Sequence, residues 1–300
     1  MPIIQNFGGI VPRTPWHLLR ENEATVAHDV KLRNSKVQAW RERKAVDMAV
    51  NDAKTLYYKG CCALTWAECV TVAEYVTDYG RLFLTGRVDQ PETMVLDDCI
   101  PTYYFLGVPA PVSAPTVSAT EKDGRDCSSR SYMYTYVNIF GEESAPSPIS
   151  TSVTVKDGDP VVVSNMALPP DGYGITEIWI YRTATAYRDD HTKEQEPATD
   201  FLKVAEIQLP TNSYTDTLKE MYLGPVCNTR EVRVPPKNLR YIRYMRGTGV
   251  LTGVTDNEVH FSAAFQPYNW PAEYDMTLPY NIVHMVTVDS TVFVSTDGYP

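Results

Sequence analysis

The 300-residue chain has no run approaching the roughly 18 to 20 consecutive apolar residues that a helical membrane span needs, so no membrane insertion is expected. Its first residues, MPIIQNFGGIVPRTP, lack the basic-then-apolar order of a signal peptide, which predicts no export by the ordinary route. Positive charge is scarce: 27 Lys and Arg stand against 37 Asp and Glu, a formal net charge of -10. Such a surface does not wrap nucleic acid through its phosphates, although it suits a wall past which DNA slides without sticking. The six cysteines, at 61, 62, 69, 99, 127 and 227, show no CxxC pair and no neighbouring histidine. Neither a zinc site nor a disulfide framework is legible in them, and the expectation is buried free thiols in a chain that folds in a reducing cytoplasm. Glycine-rich phosphate loops, HExxH, GxSxG and paired catalytic carboxylates are also missing. The sequence thus assigns no catalytic, metal-binding or cofactor-binding residue and singles out no binding residue; the expectation is a protein that is not an enzyme and uses no cofactor.

What is present is a β signature. With 43% hydrophobic residues the chain can build real cores, and its 20 tyrosines, 22 prolines and 16 glycines punctuate short alternating runs with almost no long stretch of period 3.6. Only PWHLLRENEATVA, Pro15 to Ala27, has helical features, through Leu18, Leu19, Glu23 and Val26, and is expected to form a short brace. Between Leu56 and Gly107 the clearest strand is RLFLTG, after the turn residues Asp78 and Gly80. GVPAPVSAP, ending at Pro115, cannot continue a ladder and marks a junction.

From Pro115 to about Leu223 the runs fit a sandwich. In SYMYTYVNIFGEESAPSPIS, Tyr132, Tyr134 and Tyr136 share one strand face and Met133, Val137 and Ile139 the other. In ITEIWIYRT, Ile178 and Ile180 oppose Trp179 and Tyr181, and FLKVAEIQL adds a further strand. The last segment reads as a meander: Leu239 to Met245, Val250 to Val254, a strand through Val259 and Phe261, then two strands hinged at Asp289 and Ser290. The expected organisation is an N-terminal arm with the first propeller-like strands over 1–108, the sandwich over 109–223 and a propeller-like β-meander over 224–300.

Several stretches invite chemistry. VHFSAAFQPYNWPAEY, from Val259 to Tyr274, places His260 and Ser262 on one strand face without a third orienting residue in view. Its prolines, Pro267 and Pro271, bracket a corner in which Tyr268, Trp270 and Tyr274 read as packing, with sugar stacking on Trp270 or Trp179 as the rival. DNEV at 256–259 and DGDP at 157–160 lack the acidic ladder of a calcium loop and read as turns. The polar run from Tyr187 to Asp200 reads as a solvated loop, or one that docks a neighbour. Arg240, Arg243 and Arg246 resemble a nucleic-acid stripe in composition, but strict alternation puts Arg240 and Arg246 on a face that Arg243 does not share.

YTYVNIFGEESAPSP and ITEIWIYRTAT resemble fibronectin type III modules embedded in bacteriophage virion proteins. LTGVTDNEVHFSAAFQPYNWPAEY and IVHMVTVDSTVFVSTDGYP resemble the propeller-bearing tail proteins of short-tailed phages, the nozzle or tail tubular protein B class. FGGIVPRTPWHLLRENEATVAHDVKLRNSKVQAWRERKAV and WAECVTVAEYVTDYGRLFLTGR are similar to the opening parts of that class. The resemblance implies an all-β chain in which propeller-like meanders carry an inserted fibronectin III-like sandwich and a short N-terminal helical brace. It also implies a homo-oligomeric ring, a hexamer, in a virion tail assembled in the host cytoplasm. Its partners would be the head-to-tail adaptor and tail fibre proteins, with phage DNA only as passing cargo. The alternative is a carbohydrate- or receptor-binding module.

Overall fold

In a computed structural model, residues 3–4, 8–26, 30–33, 36–39, 52–75, 80–120, 127–186 and 196–298 are described. The chain forms two compact units, Met1–Asn51 and Asp52–Pro300. The first holds β1 (Ile3–Ile4), β2 (Gly9–Ile10), β3 (Glu23–Ala24), β4 (Val30–Arg33) and β5 (Lys36–Ala39), arranged as a β1-β5-β4 sheet and a parallel β2-β3 pair. The expected helical brace shrinks to a single 3-10 turn at Trp16–Leu18, and Glu23 lies in a strand. Leu18 and Val26 remain exposed, so the expected apolar face is not buried among the described residues, and so short a helix is not stable without burial.

The second unit begins with the hairpin β6 (Thr55–Lys59) and β7 (Cys62–Trp66), followed by a four-stranded meander of β8 (Thr71–Glu74), β9 (Arg81–Thr85), β10 (Glu92–Asp97) and β11 (Ile100–Phe105). RLFLTG does not alternate in polarity because β9 is covered on both faces. Leu82 and Leu84 pack with Leu64, Trp66 and Met94, whereas Phe83 packs the other way with Ala73, Tyr75 and Leu106. After β9 the chain turns at Gly86 with φ of 96°, and a Cβ there would lie 2.3 Å from the Cys69 carbonyl oxygen. Only glycine fits both the backbone and the space.

A β-sandwich follows, made of β12 (Thr116–Ala119), β13 (Cys127–Arg130), β14 (Tyr132–Asn138), β15 (Val153–Lys156), β16 (Val161–Ser164), β17 (Ile175–Ala186), β18 (Glu196–Gln208) and β19 (Tyr214–Asp216). The β14-β17-β18 sheet faces β12-β16-β19 and the β13-β15 pair across one core. Tyr132, Tyr134, Tyr136, Ile178 and Ile180 enter that core from one layer, and Val153, Val155, Val161 and Val163 from the other. Met133, Trp179 and Tyr181 meet Phe201 and Cys227 on the opposite face, as alternation requires. Ile139 departs from the expected pattern: the register shifts at Val137/Asn138, the strand ends, and Ile139 sits exposed in the turn. Each core tyrosine hydroxyl has a partner: Tyr132 donates to Asp216 Oδ2 (2.8 Å), Tyr136 to the Ala167 carbonyl (2.7 Å), and Tyr134 accepts from the Ala167 amide (2.9 Å).

The free edge of β14 is closed by the segment SAPSPIS. Ser144, Ser147 and Ser150 donate their amides to the carbonyls of Tyr136, Tyr134 and Tyr132. Their hydroxyl oxygens accept from the amides of the same three tyrosines, at 3.0, 3.1 and 2.9 Å. Serines spaced by three thus satisfy strand residues spaced by two, and the intervening prolines bar any further strand from adding at that edge.

The chain then returns to the first meander. A second one, β20 (Arg240–Met245), β21 (Val250–Val254), β22 (Glu258–Phe261) and β23 (Met276–Thr277), packs Leu239, Ile242, Leu251 and Trp270 against Ala73, Tyr75, Phe83 and Leu106. Tyr75 donates to the Gly249 carbonyl (2.7 Å), and the Ile242 amide donates to Thr85 Oγ1 (3.2 Å). The hairpin β24 (Ile282–Val288) and β25 (Thr291–Thr296) covers the far face through Ile282 and Met285, which meet Val254 and Val259. Two, four, four and two strands therefore stack in series, and the sandwich is inserted between the two central sheets. Where it leaves the stack it is clasped. Arg81 pairs with Glu142 (2.6 Å) and lies over the Phe140 ring, Phe105 donates its amide to the Gly172 carbonyl (2.8 Å), and Gln90 donates to the Tyr173 hydroxyl (2.6 Å).

Candidate functional site

The corner after β22 gathers more polar groups than the sequence shows. His260 is buried, with Nε2 2.9 Å from Thr255 Oγ1 and 3.8 Å from Glu258 Oε2, and Nδ1 2.8 Å from Asp275 Oδ1. The expected absence of a third residue beside His260 is therefore corrected: the turn Pro271–Tyr274 carries Asp275 back to the imidazole. Nδ1 has no partner in hydrogen-bonding geometry, so the Asp275 contact is a close approach rather than an aligned hydrogen bond. Ser262 stays out of this group. Its hydroxyl accepts from the Leu251 amide (2.9 Å) and donates to the Ala263 carbonyl (3.1 Å), at 1% exposure. The arrangement locks a corner between strands.

Trp270 is 3% exposed, donates its indole N–H to the Pro267 carbonyl (2.9 Å), and its own amide donates to the Arg233 carbonyl. Its ring fills the core between the two central sheets, so it offers no face to a sugar. The Trp179 ring is covered at 3.7 Å by the Lys203 ammonium, and its N–H donates to Glu177. Of the aromatics in the Val259–Tyr274 stretch, Phe265 and Tyr274 are exposed.

The arginine stripe is rearranged by a bulge. Tyr241 has φ of 56° and the register of β20 slips between Arg240, opposite Val254, and Arg243, opposite Thr252. Three residues on β20 span two on β21, so Arg240 and Arg243 share a face, contrary to strict alternation. That face lies under β24. Arg240 donates to the Thr255 and Ile282 carbonyls, and burial lowers the pKa of Arg243. The pair braces the stack instead of forming an open basic track.

DGDP is a turn: Asp157 accepts from Arg130 Nη2 (2.9 Å) and the Glu220 amide (3.0 Å), and Asp159 accepts from the Lys156 amide. In DNEV, Asn257 donates to the Leu278 carbonyl (3.0 Å). The greater part of the polar run, residues 187–195, lies outside the described residues, and 196–200 open β18.

Cysteine usage is also corrected. Cys62 and Cys99 form a disulfide, Cys61 and Cys69 are exposed, and only Cys127 and Cys227 are the buried thiols expected. Nothing in the spacing announced the bond, because its cysteines sit on the tips of two different hairpins.

Among the described residues, exposed apolar side chains occur at both ends of the stack. On the outer face of the first hairpin Leu56 and Tyr58 are exposed; on the last, Val283, Val286, Val288 and Phe293 are. A groove of about 660 Å³ beside it is lined by Phe261, Met276, Leu278, Tyr280, Val292 and Val294. The chain matches no family model, and no curated protein is recognisably similar to it in sequence.

Proposed function

We propose that the protein is a structural component of a phage tail, a ring-forming nozzle that extends the DNA channel and offers docking surfaces for fibres. The observation that carries this reading is the open series of stacked sheets with apolar faces at both ends, joined to a clasped sandwich. A series of antiparallel sheets packed face to face is the way propeller blades are built, and contiguous exposed apolar faces suit contacts between proteins. The mechanism is mechanical: copies bury these end faces, the clasped sandwich projects as a docking module, and the acidic excess keeps a lumen from adhering to DNA. The sandwich, by its resemblance to fibronectin type III, serves as the spacer. The receptor-binding alternative loses its two aromatic platforms, since Trp270 is inside a core and Trp179 is capped.

Cryo-microscopy and mass spectrometry of purified particles test the proposal together with sedimentation of the isolated gene product. A closed ring at the tail is expected. A stable monomer that is absent from particles would overturn the reading.

A further inference from the structure

The tips of two hairpins carry three sulfurs together. Gly60 and Cys61 form the two-residue loop between β6 and β7, with Lys59 opposite Cys62, and Asp98 and Cys99 form the loop between β10 and β11, with Asp97 opposite Ile100. The Sγ atoms of Cys61, Cys62 and Cys99 lie within 4.8 Å of one another. Cys61 and Cys99 are exposed and Cys62 is partly buried, so the cluster is open to solvent. Asp98 and Cys99 have φ of 46° and 64°, the left-handed pair that such a turn demands and that Asn-Gly or Asp-Gly ordinarily supplies. A cysteine where glycine would be easier, next to a second hairpin that presents two more, points to a use for the sulfurs.

We propose that Cys61, Cys62 and Cys99 are a redox-gated thiolate site for a soft, zinc-class divalent cation. With the Cys62–Cys99 disulfide formed, only the Cys61 thiol is left and the site is closed. A small thiol reductant of the glutathione class opens it: two reductant thiols give up their hydrogens and form one new S–S bond, while the Cys62–Cys99 bond breaks and yields two thiols. Binding then releases three protons as three thiols become three metal–sulfur bonds. Sulfurs bound at about 2.3 Å to one tetrahedral ion lie about 3.8 Å apart, a spacing this cluster reaches with small shifts of side chains on exposed tips. Solvent supplies the fourth ligand. The carboxylates of Asp97 and Asp98 on the same tip favour a cation electrostatically. In a reducing compartment the thiol form prevails, and in an oxidising medium the bond staples the first hairpin to the four-stranded sheet. The inference stands apart from the nozzle reading, since it needs only these two hairpins.

The test uses the whole chain and cobalt(II) as an optical probe for zinc(II). Protein reduced with a phosphine should bind one equivalent, with sulfur-to-cobalt charge-transfer absorption that zinc abolishes by displacement; disulfide-bonded protein should show none. Cys61→Ser should weaken binding about 100-fold or more, because even loss of an outer-sphere partner costs about 10–100-fold. Cys69→Ser, outside the cluster, should leave it unchanged. Should a substitution unfold the chain, alkylation mapping of the reduced wild type still decides: zinc should protect Cys61, Cys62 and Cys99 while Cys69 reacts. Absence of charge-transfer absorption in reduced protein, equal binding by the oxidised form, unchanged affinity in Cys61→Ser, or alkylation of the three cysteines at the rate of Cys69 in the presence of zinc overturns the proposal.

Discussion

Arg182 Nη1 meets Asp216 Oδ2 at 2.5 Å inside the sandwich, with both side chains at 1% exposure or less, and the contact ties β17 of one layer to β19 of the other. Tyr132 donates to the same carboxylate oxygen, and Arg130 reaches Asp157 beside it. Arg130, Arg182 and Asp216 are thus almost wholly withdrawn from water, while the Asp157 carboxylate at the edge of the group stays partly exposed. Removing one partner of a buried pair leaves an uncompensated charge, which costs about 3–5 kcal/mol, whereas replacing the pair by packed apolar groups is often neutral. Asp216→Ala should therefore lower the unfolding free energy by about that amount, and the double variant Arg182→Met with Asp216→Leu should recover much of it. Denaturant titration of the three proteins checks both.

The serine ladder allows a second test. Ser147→Ala leaves the buried Tyr134 amide without its acceptor, at a cost of about 1–3 kcal/mol. Ser147→Thr keeps the oxygen and should cost less. Hydrogen exchange of the Tyr134 amide should speed up in the alanine variant well beyond that in the threonine variant.

Trp270→Ala should cost about 3–5 kcal/mol, since it empties a site in the core shared by the two central sheets. Retained stability combined with loss of glycan binding would instead restore the receptor reading. Thermal melting and a glycan array read the two outcomes separately.

The buried tyrosines predict an alkaline limit. Burial, foremost, pushes the hydroxyls of Tyr132, Tyr136 and Tyr181 above their ordinary value of 10.0, and hydrogen bonds to Asp216, Tyr134 and Glu143 add to it. A group whose folded pKa is raised contributes stability that is whole below the unfolded value and is lost as pH rises through it. Stability should therefore be flat with respect to these groups at neutral pH and fall above about pH 10. Tyrosinate absorbance should show a fraction of tyrosines ionising only together with loss of the fold.

The sequence by itself determined the strands and most turns, because alternation and turn chemistry are local. Tyr132, Tyr134 and Tyr136 face one way, Ile178 and Ile180 oppose Trp179 and Tyr181, and the last strands fall where Gly247, Gly249, Asp289 and Ser290 punctuate the chain. The corner prolines around Trp270 also signalled packing correctly. Local pattern could not supply a partner from elsewhere in the chain. The helical brace failed because Leu18 and Val26 stay exposed, and the arginine faces changed because one left-handed residue, Tyr241, inserts a bulge that periodicity cannot foresee. Only the tertiary structure joined Cys62 to Cys99, 37 residues apart, Arg182 to Asp216, 34 apart, and Thr85 to Ile242, 157 apart. It also brought Asp275 to His260. Each of these pairs is set by which sheet faces stack and which hairpin tips meet, and that is fixed by burying apolar faces over the whole unit rather than by any residue's immediate neighbours.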